Sequence, residues 1–135
     1  MATAGLITFH FAHHYGAQLQ AYATMQAVRR LGMDCRIIDY RLPHTTRTNR
    51  LFQFQPFPKA VFLNGHTLAH YPALRRRYQR FETFVSDCMD LGPRSYGSLA
   101  ELRADPPDCD VYLSGSDQIW NPYIFRATAL TPPFS

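Results

Sequence analysis

Two short apolar runs flanking one helix-length segment constrain this chain more than anything else in it. "GLITF" (5–9) is a short β-type run, and "DCRIIDY" (34–40) reads as a second buried strand. Between them, from Ala17, the residues Ala21, Met25, Val28 and Leu31 recur at the spacing of one helix face. Arg29 and Arg30 fall in the last turn, where cations suit the helix dipole, and Gly32 follows as a natural terminating residue. Strand, helix and strand in residues 5–40 make a βαβ unit, predicted to be right-handed with parallel strands.

The rest of the chain extends this reading. Residues 41–72, interrupted by Pro43, Pro56, Pro58 and Pro72, read as a long irregular loop. A helix is expected from about Ala73 to Cys88, with Leu74, Tyr78, Phe81, Val85 and Cys88 as its apolar stripe and Arg75–Arg77 facing out; Gly92-Pro93 ends it. Ser98 and Glu101 have capping-box spacing at the start of a short helix, which Pro106-Pro107 stops. "CDVYLS" (109–114) is then a third strand. The predicted fold is α/β, a Rossmann-like parallel sheet with flanking helices, in one domain over residues 1–125 followed by an irregular tail at 126–135.

Composition removes some classes and suggests others. With 46% hydrophobic and 18% charged residues among 135, the chain has the makings of a packed core. No apolar run approaches the roughly 20 residues of a membrane span, and the N-terminus has no secretory pattern. Cys35, Cys88 and Cys109 lack CxxC spacing and read as buried free thiols, as expected in the cytoplasm. Residues 41–80 hold Arg41, Arg47, Arg50, Lys59, Arg75, Arg76, Arg77 and Arg80 and no acid, which suits either an anionic ligand or a solvated helix face. A nucleic-acid partner is not expected. GxSxG and HExxH are absent. "LSGSD" lacks the adjacent glycines of a pyrophosphatase-type phosphate loop.

In parallel α/β sheets, ligands sit beyond the carboxyl ends of the strands, and two polar loops are predicted there. The first brings His14, Tyr15 and Gly16 to a helix N-terminus, where free N–H groups favour an anion, with Gln18 and Gln20 close behind. The alternative is a plain turn with solvated glutamines. The second, Ser114, Gly115, Ser116, Asp117, Gln118, Trp120 and Asn121, offers hydroxyls, amides, a carboxylate and an indole, a set suited to polyol recognition. The alternative there is an Asp117-capped turn over a core Trp120. His10, His13 and His14 stand on a loop without a nearby Cys or carboxylate ligand, and no metal or other cofactor is expected.

"HHYGAQLQAYA" (13–23), "IIDYR" (37–41), "YGSLAEL" (96–102) and "DVYLSGSDQIWNP" (110–122) together resemble the N-terminal part of the polysaccharide pyruvyl transferase family. That part of the family reads as an Asn-Tyr-Gly-Ala loop, a Leu-Gln-Ala-Tyr-Ala helix, an Ile-Asp-Tyr strand and a Gly-Ser-Asp-Gln-Val-Trp-Asn-Pro loop. His14 stands here where the family usually has Asn. The resemblance implies a two-domain architecture similar to the GT-B glycosyltransferases. It further implies transfer of a pyruvyl group from phosphoenolpyruvate to a saccharide acceptor of a cell-surface polysaccharide, giving a cyclic ketal. Such transfer needs an acid for the enol methylene, a base for a sugar hydroxyl, and cations or helix N-termini for the phosphate and carboxylate. Asp117 is the candidate base or hydroxyl anchor, and the Gly16 helix start and Arg41 are candidates for the anion. The family continues through a second α/β domain, whereas this sequence runs into "RATALTPPFS" without a strand pattern. The expectation is an N-terminal half that relies on a complementing domain or self-associates, or else a sugar- or anion-binding domain without chemistry.

Overall fold

The computed structural model describes residues 1–41, 51 and 58–115, with side chains described from 64 onward in the second stretch. Four strands, β1 (Thr3–Ile7), β2 (Asp34–Tyr40), β3 (Leu91–Tyr96) and β4 (Val111–Ser114), form one sheet in the order β3-β2-β1-β4. Every neighbouring pair is parallel. Four helices accompany them: α1 (Tyr15–Arg30), α2 (Pro58–Ala69), α3 (Tyr71–Cys88) and α4 (Leu99–Ala104). The α/β, all-parallel expectation holds.

The strand order explains why both faces are covered. The chain steps outward from β1 to β2 to β3, then returns past β1 to β4. Crossovers of one hand running in opposite directions put their helices on opposite faces. On one face, Ala21, Met25 and Val28 of α1 and Val85 of α3 pack on Ala4, Leu6, Cys35 and Ile37. On the other, Leu102 of α4 packs with Ile7, Ile38, Tyr40 and Tyr96. Coverage on both sides is why β1 is apolar at nearly every position instead of alternating.

Several boundaries differ from the sequence expectation. The first strand is Thr3–Ile7, not 5–9, because Thr3 and Ala4 already pair with Asp34 and Cys35 of β2. The last strand begins at Val111, not 109. Helix α1 starts at Tyr15, two residues before Ala17, and Leu31 is 81% exposed beyond its last buried turn. Gly32 terminates it with φ +85, and its N–H donates to the Arg29 carbonyl at 3.0 Å. The expected loop at 41–72 contains α2, while 42–50 and 52–57 lie outside the described residues. Pro58 and Pro72 stand at helix starts, where a missing N–H costs no intrahelical bond.

The expected stop at Gly92-Pro93 is instead part of β3, a fourth strand. It lies at the sheet edge, where proline is tolerated because one side of the ladder is unpaired. Helix α3 starts at Tyr71, two residues before the predicted Ala73; of its predicted apolar stripe Phe81 and Val85 are buried and Leu74, Tyr78 and Cys88 half-buried, while Arg75–Arg77 are exposed. Ser98 caps α4, its hydroxyl accepting from the Glu101 N–H at 3.2 Å, while the Glu101 carboxylate accepts from the Gly97 N–H at 2.9 Å. All three cysteines are unpaired, but only Cys35 is buried; Cys88 and Cys109 are half-buried. Among the described residues no helix is long and apolar enough to cross a membrane.

Candidate functional site

All four strands point their carboxyl ends to one edge. There Ile7 of β1 stands in register with Ser114 of β4, and the Gly115 N–H donates to the Ile7 carbonyl at 2.8 Å. The loop after β1 and Gly115 therefore lie side by side at this edge of the sheet. Strand order reverses across β1, the position where an open parallel sheet has its ligand crevice.

The first-loop residues divide between the crevice and the helix interface. His14 is the N-cap of α1, exposed and extended, and its side chain caps nothing. Tyr15 and Gly16 are exposed on the first turn. An added Cβ at Gly16 would meet the exposed His14 ring at 3.2 Å. Gln18 departs from expectation: it lies on the buried face of α1 at 3% exposure, and its amide nitrogen has no hydrogen-bond partner among the described residues. Gln20 is half-buried. Ser114 is exposed and Gly115 buried. Ser116, Asp117, Gln118, Trp120 and Asn121 lie outside the described residues.

Arg41 belongs to a charge network the sequence showed only in part. Asp39 and Arg41, two residues apart at the end of β2, join through Arg41 Nε and Asp39 Oδ1 at 2.5 Å. The same oxygen lies 2.8 Å from His10 Nε2, and His10 Nδ1 lies 3.2 Å from the Thr8 carbonyl oxygen. His10 is fully buried, and the Asp39 side chain is 12% exposed. Burial pushes the Asp39 carboxyl up, but hydrogen bonds from His10 and Arg41 outweigh it and hold it at about 2. Among the described residues Arg41 makes this ion pair through Nε, and its side chain stays 34% exposed at the edge. A guanidinium oriented this way keeps N–H groups for an anion.

A second histidine pairing fastens the loop to α3. His13 Nε2 meets Glu82 Oε1 at 2.6 Å, and its ring stacks on Phe81 with centroids 5.2 Å apart and planes 11° apart. Tyr78 meets the same ring edge-on at 4.6 Å. His10 and His13 thus face different carboxylates, and among the described residues no three His, Cys, Asp or Glu side chains converge as metal ligands. Neither pairing could be read from local sequence, because the partners are 29 and 69 residues apart. The one local signal is Asp39 within the apolar "RIIDY" run, since a buried acid requires partners.

Comparison with protein-family models, with curated proteins and with solved structures finds no match.

Proposed function

We propose that this chain is a polysaccharide pyruvyl transferase-like domain that binds the anionic donor at the carboxyl edge of its sheet. The reading rests on the sequence resemblance, and one structural observation supports it. An arginine, Arg41, is held by a buried Asp39–His10 pair at the edge where the β1 and β4 loops emerge. Arg41 and the free N–H groups at the start of α1 are suited to the phosphate and carboxylate of phosphoenolpyruvate.

In the proposed reaction the enol methylene takes a proton and becomes methyl. One sugar hydroxyl adds to the adjacent carbon, phosphate departs from it, and a second hydroxyl closes the ketal. Of the two hydroxyl protons, one balances the methyl and the other leaves with phosphate. Asp117 is the proposed base, and Ser116, Gln118 and Asn121 the proposed hydroxyl partners, with Trp120 beneath the sugar ring. The GT-B-like pairing with a second domain belongs to the same proposal.

The test is calorimetric titration of the purified chain with phosphoenolpyruvate, pyruvate and inorganic phosphate, followed by an assay for phosphate release with saccharide acceptors. Phosphoenolpyruvate is expected to bind most tightly, and Arg41→Gln to weaken it at least tenfold, the equivalent of about 1.4 kcal/mol. Failure of phosphoenolpyruvate to bind, or equal binding by Arg41→Gln, overturns the donor-site reading. Binding without phosphate release supports the anion-binding domain without chemistry.

A further inference from the structure

Along the flank of α1 that faces α3, the two helices enclose a groove of ≈ 160 Å³ lined by Tyr15, Gln18, Leu19, Arg80, Phe81 and Phe84. We propose that this groove is a second binding site, for a small carboxylate carried on a six-membered ring. It shares no residue with the His10–Asp39–Arg41 network and does not depend on pyruvyl transfer, although Tyr15 also opens the helix whose N-terminus the proposed donor site uses.

Three independent features define the ligand. The first is size and lining. A space of ~150 Å³ walled by apolar side chains takes a benzene ring, and here the walls are aromatic and aliphatic. Two of them, Tyr15 at 65% and Leu19 at 56%, are large hydrophobic groups left open to solvent.

The second feature is the Gln18 amide. Gln18 lines the groove, is 3% exposed, and its nitrogen has no hydrogen-bond partner among the described residues. An orphaned buried donor is destabilising in the free protein, and that loss is recovered when an acceptor arrives. Leucine at this position would have packed without penalty, so the amide makes physical sense if an acceptor is supplied from outside.

The third is charge. Arg80 stands in the groove lining with no ion pair among the described residues, on a helix that also carries Arg75, Arg76 and Arg77. The acid nearest Arg80 in sequence, Glu82, is engaged by His13. A guanidinium beside an apolar slot selects an anion, and its planar fork suits a carboxylate. A ring seated between the two helices places its carboxylate toward Arg80 while leaving an oxygen for the Gln18 N–H.

The experiment uses benzoate, with cyclohexanecarboxylate, benzyl alcohol and glucuronate as comparison probes, followed by amide-resolved NMR on the full chain. Benzoate is expected to shift the Gln18 side-chain NH₂ resonances in a saturable way, and benzyl alcohol to bind at least tenfold more weakly. Arg80→Gln, a substitution at an exposed position, should weaken benzoate at least tenfold without changing the melting temperature. Gln18→Leu should raise the melting temperature of the free protein by a few degrees and abolish the benzoate-induced stabilisation. Tighter binding of glucuronate than benzoate would overturn the apolar-ring assignment. Unshifted Gln18 resonances, equal binding by Arg80→Gln, or a lowered melting temperature in Gln18→Leu would overturn the site.

Discussion

Replacing Asp39 by Asn keeps the shape of the side chain and removes the charge that His10 and Arg41 share. The magnitude follows from the depressed carboxyl. Burial raises it, the two hydrogen-bonded partners lower it further, and the net displacement is from 3.8 to about 2. At about 1.4 kcal/mol per pH unit, the network contributes roughly 2–2.5 kcal/mol to folding at neutral pH. Because the folded value lies below the unfolded one, that contribution is complete above about pH 4 and is lost as the pH falls through about 2. Asp39→Asn should therefore be less stable than the wild type at pH 7 by roughly 2–3 kcal/mol, or about 6–12 °C in melting temperature for a domain of this size. The difference between the two proteins should shrink between pH 4 and pH 2. Urea denaturation followed by circular dichroism at pH 7, 4 and 2.5 measures it. Asp110, also depressed, by hydrogen bonds from Thr3, titrates in both proteins and cancels. Arg41→Gln should cost less than Asp39→Asn, since its side chain is one-third exposed and solvent screens its charge. A variant Asp39→Asn within about 0.5 kcal/mol of wild type at pH 7, or a gap that persists unchanged at pH 2.5, would refute the network as a stabilising unit.

Three further substitutions probe separate parts of the fold and the proposal. Gly5→Ala places a Cβ 3.0 Å from Cys109 Sγ and 3.1 Å from Ile38 Cδ1. It should cost roughly 1–3 kcal/mol by overpacking, with Cys109→Ala recovering part of the loss in a double-mutant cycle by chemical denaturation. Ser98→Ala removes the bond that caps α4 and should lower stability by about 1 kcal/mol, read as a shift in the urea midpoint. Asp117→Asn, assayed for phosphate release, should fold with an unchanged melting temperature and lose turnover by about 10²-fold or more if it is the general base; a lowered melting temperature with turnover retained would assign it to loop structure.

Those elements whose local pattern and tertiary role agree were legible in the sequence. The bounds of β2 are the predicted ones, because an apolar run buried on both faces has little freedom to slide. The stripe of α3 and the Ser98 cap were equally readable. The elements that were missed are those where a punctuating residue sits somewhere it does no harm. Pro93 reads as a stop, yet it lies in an edge strand; Pro58 reads as an interruption, yet it opens α2. The start of α1 carries no Ser, Thr, Asp or Asn signal, because His14 caps it without a side-chain bond. Leu31 has the right period and the wrong environment, since the helix has already run past the core by that point.

The site was legible only where sequence neighbours are also spatial neighbours. Asp39 and Arg41 project to one side of β2 by strand periodicity alone, so their pairing is local. His10 reaches Asp39 only because β1 and β2 pair in parallel with Leu6 opposite Ile37, which carries the segment after β1 past the end of β2. The same strand meets β4 on its other side, with Ile7 opposite Ser114. The chain leaving β1 is thus bordered by Arg41 on one flank and Gly115 on the other. A ligand in that crevice would lie between Arg41 and Gly115, which are more than 70 residues apart in sequence. It follows that Arg41→Gln and substitutions in the Gly115 loop should couple in binding, which distinguishes a shared site from two separate ones. Non-additive losses in a double-mutant cycle on phosphoenolpyruvate affinity are the expected result, and additive ones would separate the loops.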